Sequence, residues 1–420
     1  MIKRDIIQEI ETWLGEEKIL ILKGPRQVGK TTIMKYLRDK IENDGNQTFY
    51  FNIDEEIFNP VFSNPKLFIK YIQDQIVFEE GKKVYIFIDE FQYIKESGLF
   101  LKVLFDNFKK NIQFIISGSS SLEITKNSEF LTGRKIEFNI KHLSFFEYIS
   151  YKSENKYKKY DLKNFGDIKL LDEIYKNDIK LHLLDYINYS GYPEICLKTN
   201  INQKIIILKE LVNTYIKKDI IHFMKIENIN AFNNLIKLLC SQTGSQLNKN
   251  ELSNTLNLNY ETLNRYLDIL EGTYIFSFLK PYFTNIRKEI SKMPKVYIND
   301  IGTLNNILGI NYENIDFIPL NIIENFIYNE LKDFIFLDDI YYYRTISKSE
   351  IDFIVKKENS LIPIEVKYRN KAGNMPVAIN NFEINYKNVS KKILITKDDL
   401  SIEGNNYKLP FYLLPFISTF

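Results

Sequence analysis

Gly24-Pro25-Arg26-Gln27-Val28-Gly29-Lys30-Thr31 is the stretch on which the reading of the fold turns. It fits the phosphate-binding pattern G-x-x-x-x-G-K-[ST]. Lys18-Ile19-Leu20-Ile21-Leu22, just before it, reads as a short buried strand, and Thr32-Ile33-Met34-Lys35-Tyr36-Leu37 opens a helix with apolar residues at helical spacing. A chain that leaves a strand, wraps a glycine loop and enters a helix aims the first helical amides at an anion. Gly24 and Gly29 give backbone freedom and close approach, Lys30 a mobile cation for the outer phosphates, and Thr31 a hydroxyl for magnesium. The whole cradle is read as Gly24 through Thr32.

Outward from the loop, Gln47–Ile53 reads as a second strand, and Val84-Tyr85-Ile86-Phe87-Ile88-Asp89-Glu90 as a third with two carboxylates at its end. Continuous apolar runs of this kind mean burial on both faces, as in a parallel sheet covered by helices. Chemistry in such sheets sits at the carboxyl ends of the strands, so Asp89 and Glu90 belong beside the loop. Asp89 is expected to hold magnesium through water, and Glu90 to orient or deprotonate an attacking water. With Lys30 and Thr31, that is most of an ATPase. The competing reading of Asp-Glu after a strand is a helix N-cap pair.

A fourth buried strand, Asn111–Ser120, ends in small hydroxyl residues. Ser119 or Ser120 is expected to sense the γ-phosphate or the water; the alternative is a capped turn. Leu131-Thr132-Gly133-Arg134 then precedes a strand at Lys135–Ile140. Arginines are few (Arg4, Arg26, Arg38, Arg134, Arg265, Arg287, Arg344, Arg369), so their placement is informative. Arg134 is read either as a transition-state or phosphate-contacting arginine, in cis or from a neighbouring subunit, or as half of a structural salt bridge.

Gly24–Thr31, Phe87–Glu90, Ser117–Ser120 and Leu131–Arg134 resemble the front half of a large prokaryotic family. Its members join an AAA-type P-loop ATPase to a C-terminal domain of undetermined role. Leu143–Tyr148 and Tyr189–Glu194 look like that family too, and the similarity spans nearly the whole chain. The resemblance implies an ATPase fold with a five-stranded core and a helical lid.

At 420 residues the chain is too long for one ordinary core, and 45% apolar with 26% charged residues is a globular composition. A net charge of +2 creates no global field for nucleic acid, so any such binding must come from a local patch. Cys196 and Cys240 stand far apart without C-x-x-C spacing, which argues against a disulfide framework or zinc site and suits a reducing cytosol. His142, His182 and His222 are isolated and read as ordinary packed or surface histidines. No stretch approaches the ~20 apolar residues of a membrane span, and no apolar signal core follows the N-terminus. The expectation is a soluble, cytoplasmic protein.

Residues 151–180, rich in Lys, Tyr, Asn and Asp, show no sustained period and read as a solvated insertion, with single-stranded nucleic-acid contact as the alternative. A helical face runs over 201–226 through Ile205, Leu208, Leu211, Val212, Tyr215 and Ile216. Short helices at Asn248–Leu256 and Tyr260–Leu270, a turn between them and the strand Tyr274–Leu279 follow in the order of a winged helix-turn-helix. Asn259, Thr262, Asn264 or Arg265 would then face DNA. Because Arg265 shares its helix with Glu261 and Asp268, a purely packing role is the equal alternative.

Further on come a strand at Lys295–Asp300, a helix over 320–333 carrying Glu324 and Glu330, and the strands Glu350–Val355 and Leu361–Lys367. Asp352 and Glu365 sit on adjacent hairpin strands, with Lys367 on the same face as Glu365. Two carboxylates can bind a divalent metal that activates water, while an ammonium steadies developing charge on phosphorus; Glu324 would complete the cluster. This D…E-x-K arrangement makes 320–400 resemble the PD-(D/E)xK nucleases, as an intact site with its own divalent metal or as a structural remnant. Leu409–Phe416 reads as further strand-like material.

The expectation is thus an α/β chain in four parts: an AAA-type P-loop ATPase core (1–150), a helical lid and insertion (151–228), a winged helix-turn-helix (229–290) and a restriction-endonuclease-like α/β domain (291–420). Its ligands are ATP and Mg2+, its partner nucleic acid, DNA before RNA, and a homo-oligomer is a candidate assembly. The reading of another class is a nucleotide-dependent switch that cuts nothing.

Overall fold

The computed structural model describes residues 2–56, 59–79, 82–119, 131–221, 224–283, 293–333, 339–345, 349–369 and 373–420. The chain divides into two compact units, Met1–His142 with Gly272–Tyr274, and Leu143–Glu271 with Ile275–Phe420.

The first unit is built on five strands: β1 (Ile19–Lys23), β2 (Thr48–Asn52), β3 (Val84–Asp89), β4 (Ile112–Gly118) and β5 (Lys135–Asn139). They form one sheet in the order β2-β3-β4-β1-β5, with every neighbouring pair parallel. Every residue of β3 and β4 is buried, which is why β3 reads as an apolar run up to Asp89 and β4 as one interrupted by Gln113. Helices Lys30–Asn43, Pro65–Gln75 and Ser97–Phe108 connect the strands. In this order β4 lies between β1, which leads into the phosphate loop, and β3, which ends at Asp89. The five-stranded core matches the expectation from the resemblance.

In the second unit, six strands form a mixed sheet. They are β9 (Asp339–Arg344), β10 (Glu350–Lys357), β11 (Ser360–Lys367), β12 (Lys392–Thr396), β13 (Ser401–Glu403) and β14 (Asn406–Pro410), in the order β13-β14-β12-β11-β10-β9. Strands β10 and β11 form the expected antiparallel hairpin, with Phe353 opposite Ile364. Helix Val377–Asn385 packs Ile379 and Phe382 against Ile351, Ile354 and Leu361 of that hairpin. Upstream, helix Lys249–Leu256, a left-handed turn residue Asn257 and helix Tyr260–Gly272 lead to β7 (Phe276–Leu279), which pairs antiparallel with β8 (Lys295–Ile298).

Three expectations are corrected here. Residues 151–180 are not mainly a solvated insertion, because their whole second half lies in a 25-residue helix, Phe165–Tyr189. Its buried stripe, Ile168, Leu171, Ile179, Leu183 and Ile187, is masked in the sequence by the exposed Leu170, Ile174 and Leu181. Within the Lys-Tyr run before it Tyr157 is buried, while Lys156, its ammonium 4.3 Å from the Tyr175 ring centroid, and Lys158 stay exposed. The helix expected over 201–226 is α-helical only to Leu211 and continues as a π-helix over Val212–Ile220; Ile205 is exposed. Past Pro410 the chain is a 3-10 helix, Phe411–Phe416, rather than a strand.

Two of the family-like stretches turn out to be joints. Ser144 and Glu147 form a reciprocal capping box, and the Phe145 amide donates to Glu330 Oε1 at 3.0 Å. Ser190 Oγ and the Gly191 amide donate to Asp300 Oδ1 at 2.8 and 3.0 Å.

Candidate active site

The phosphate loop is held in a shape that only its own sequence permits. Gly24 has φ +155, and a Cβ there would lie 1.9 Å from the Ile140 carbonyl oxygen. Gly29 has φ 97, a left-handed residue just before the helix beginning at Lys30. From below, the buried Arg4 donates to the Val28 carbonyl at 2.8 Å and the Lys141 carbonyl at 2.7 Å. Among the eight arginines this one was named in the sequence without a role; it clamps the N-terminal segment to the loop.

The Lys30 ammonium is 5% exposed and donates to the Gly24 and Pro25 carbonyls at 2.9 and 2.6 Å. Burial lowers its pKa to about 8, against the opposing pull of Glu90 and Asp89. Thr31 Oγ1 donates to Asp89 Oδ2 at 2.7 Å, and Tyr50 OH reaches the same oxygen at 2.8 Å. The other Asp89 oxygen accepts from Ser117 Oγ and from the Glu90 amide. A threonine hydroxyl and a carboxylate oxygen converging on one point are hard oxygen donors that fit magnesium.

Glu90 adopts a left-handed conformation, φ 55, at the end of β3. Its carboxylate accepts from the Gln92 side-chain amide, which also donates to Ser119 Oγ at 3.1 Å. The Ser119 amide returns a bond to Gln92 Oε1 at 3.3 Å. The structure therefore brings Lys30, Thr31, Asp89, Glu90 and Ser119 to one edge of the sheet. Gln92 and Ser117 were missed by the sequence reading. Both were legible as polar side chains at or just past the carboxyl ends of the largely apolar strands β4 and β3. Arg26 reaches the Tyr93 hydroxyl at 3.3 Å. Ser120 lies outside the described residues.

Arg134 is elsewhere. Its carbonyl accepts from the Ile19 amide, so it sits at the start of β1, whereas the loop follows the end of that strand. At ~3.3 Å per residue, four steps along β1 separate the two edges by roughly 13 Å. Arg134 Nε pairs with Asp106 Oδ1 at 3.0 Å. A phosphate contact by Arg134 within its own chain is therefore corrected: the parallel register puts it at the opposite edge.

In the second unit, Asp352 and Glu365 are adjacent, but the expected metal cluster is not formed. Among the described residues no group of three His, Cys, Asp or Glu side chains is set to hold a metal ion. The Lys295 ammonium, 3% exposed, lies 3.0 Å from Glu324 Oε1, 2.7 Å from Glu350 Oε1 and 3.4 Å from Asp352 Oδ1. Glu324 Oε1 also accepts from Tyr297 OH at 2.5 Å, and Asp352 Oδ2 from the Val366 amide at 2.9 Å. Burial alone would lower the Lys295 pKa, but Glu324, Asp352 and Glu350 raise it overall. Burial and the neighbouring Asp352 push Glu324 up to about 7 and Glu365 up to about 8. Among the described residues Glu365 Oε2 is buried without a hydrogen-bond partner, and Lys367, more than Lys295, opposes the rise of its pKa.

The side chains expected to read DNA are largely engaged. Arg265 donates to the Met224 and Lys225 carbonyls, both at 3.1 Å; Asn264 accepts from Lys249 at 2.7 Å; Asn259 caps its helix at the Thr262 amide.

Comparison with known proteins agrees with the first unit. Residues 16–149 match a family model described as an AAA domain. Residues 180–314 and 321–414 match two families described as domains of unknown function, DUF8612 and DUF4143. An uncharacterized protein of Haemophilus influenzae is 24% identical over 94% of this chain and 93% of its own length. The uncharacterized protein MJ1544 of Methanocaldococcus jannaschii is 26% identical over 94% and 86%. Among solved structures, the ORC1 protein of Aeropyrum pernix in complex with DNA aligns with a TM-score of 0.32 at 10% identity, covering 72% of this chain and 91% of that one. AMPPCP-bound DnaA from Aquifex aeolicus aligns at 0.27 with 14% identity, over 64% and 86%. Scores of that size leave the fold to be argued from the sheet and the loop. The sheet order, the phosphate loop and the family match together define an AAA-type P-loop ATPase domain, followed by a C-terminal domain whose family has no assigned function. Among the described residues no helix is long and apolar enough to cross a membrane.

Proposed function

We propose that the protein hydrolyses ATP at the edge formed by Lys30, Thr31, Asp89 and Glu90, and that this cycle governs a C-terminal module facing nucleic acid. The observation that carries the reading is the convergence of Thr31 Oγ1 on Asp89 Oδ2 at 2.7 Å, with Glu90 next in the chain. Magnesium held by Thr31 and, through water, by Asp89 would neutralise charge on the phosphate oxygens. The loop from Gly24 to Thr32 cradles the phosphates with its amides, and Lys30 steadies the outer ones. Glu90 orients the attacking water and accepts its proton, with Gln92 and Ser119 fixing its carboxylate. Arg134 acts, if on nucleotide, only from a neighbouring subunit of a homo-oligomer.

Nucleic acid as partner, DNA before RNA, rests on the winged-helix order of 249–279 and on the D…E-x-K pattern at Asp352, Glu365 and Lys367. A metal-dependent nuclease at those residues stands beside the second reading, a nucleotide-dependent switch that cuts nothing. The ion pairs from Lys295 to three carboxylates favour the switch. Two buried, free cysteines support a reducing, cytoplasmic setting.

Phosphate release from ATP, measured for the wild type and for Lys30→Ala, tests the ATPase; equal rates in the two would sink it. Incubation with branched, single- and double-stranded DNA and RNA plus magnesium or manganese tests the module. Cleavage lost in Asp352→Ala and Lys367→Ala supports the nuclease, and no cleavage of any substrate supports the switch.

A further inference from the structure

We propose that Lys295 is a built-in cation of the C-terminal site, its ammonium standing where a divalent metal would bind, so that Glu324, Glu350 and Asp352 are paired without metal.

Lys295 opens β8, a strand whose four residues are all buried. Period-two alternation puts Tyr297 on the same face, and its hydroxyl joins the Lys295 ammonium on Glu324 Oε1. An ammonium has three N–H donors, and here three carboxylates, Glu324, Glu350 and Asp352, lie within 3.4 Å. The donor count and the acceptor count match. Pairing of this kind offsets the cost of burying the charge.

Two further oxygens of these three carboxylates are engaged as well, while Glu365 Oε2 has no hydrogen-bond partner among the described residues. Asp352 Oδ2 accepts from the Val366 amide. Glu350 Oε2 lies 3.4 Å from Arg344, which itself donates to Gln246 at 2.7 Å. A magnesium ion asks for about six oxygen ligands at ~2.0–2.1 Å in octahedral array and repels a neighbouring ammonium. The two cations cannot share these oxygens. Lys295 instead ties β8, helix Leu320–Leu331 and β10 together, and Asp352 carries the tie on to β11. The D…E-x-K pattern points to Lys367 as the site's ammonium; the one at its centre comes from a strand 57 residues upstream of Asp352.

The full chain, stripped of nucleotide, is titrated with manganese, and bound metal is read by electron paramagnetic resonance. Wild type and Asp352→Asn should bind alike, with no ion dependent on Asp352. Lys295→Met should gain about one ion per chain with an affinity on the order of ten-fold or more above wild type, lost again in Lys295→Met/Asp352→Asn. Manganese bound by wild type and removed by Asp352→Asn overturns the proposal. So does a folded Lys295→Met, checked by circular dichroism, that gains nothing. Should Lys295→Met fail to fold, the wild-type comparison still decides, with Glu324→Gln in place of Asp352→Asn if that variant is also unstable.

Discussion

The Gln92 side-chain amide donates to the carboxylate of Glu90, two residues back in the chain, while also holding Ser119 at 3.1 Å. Glu90 is thereby aimed by a neighbour that does not itself need to touch nucleotide. Glu90→Gln should bind ATP normally and lose turnover by about 10²–10⁴-fold, the usual range for a general base. Gln92→Ala should lower kcat by about ten-fold, the worth of one hydrogen bond to a charged group, with nucleotide Kd unchanged. Steady-state kinetics beside nucleotide titration separates the two. A Gln92→Ala enzyme with full kcat would remove its positioning role.

Lys30→Ala removes the ammonium that now bonds to Gly24 and Pro25. A charge-assisted hydrogen bond is worth about 1.5–3 kcal/mol, so ATP affinity should fall roughly ten- to hundred-fold. Titration with a fluorescent ATP analogue measures it; unchanged affinity would move the phosphate site elsewhere.

Gly24→Ala should be costly on two counts, the backbone angle and the carbonyl of Ile140 only 1.9 Å from any Cβ. A loss of about 1–3 kcal/mol in stability is expected, with weakened nucleotide binding, because the loop must shift to admit the methyl group. Thermal melting checks the first part and nucleotide titration the second.

Glu330 offers a pH signature. Burial, with Asp333 and Glu147 adding repulsion and Lys159 opposing, pushes its pKa up to about 8, from an unfolded value near ~4.3. Between those values the folded chain binds more protons at this group than the unfolded one, so its contribution to stability falls as pH rises through the window. Glu330→Gln keeps an oxygen for the Phe145 amide and cannot ionise. The melting temperature of the variant relative to wild type should therefore climb from pH 5 to pH 9. A constant difference across that range would show that Glu330 does not titrate there.

Much of this was legible in the sequence because the relevant signals are local. The phosphate loop, the apolar strand ending in Asp89-Glu90 and the hairpin carrying Asp352 and Glu365 each announce themselves within one short continuous stretch. What escaped depends on pairing between distant segments. Arg134 follows a glycine turn and looks ready for phosphate; only the register of β5 on β1 shows which edge it occupies. Lys295 looks like the polar first residue of a strand until Glu324, Glu350 and Asp352 are brought around it. The helix Phe165–Tyr189 hid because its apolar residues fall on two faces, one buried and one exposed.

Arg4, gripping the Val28 and Lys141 carbonyls, makes the segment before Asp5 a brace for the phosphate loop. Proteolytic trimming before Asp5 would leave the underside of the loop unbraced while sparing every residue of the phosphate-binding pattern. Such a species would carry an intact motif yet bind nucleotide poorly.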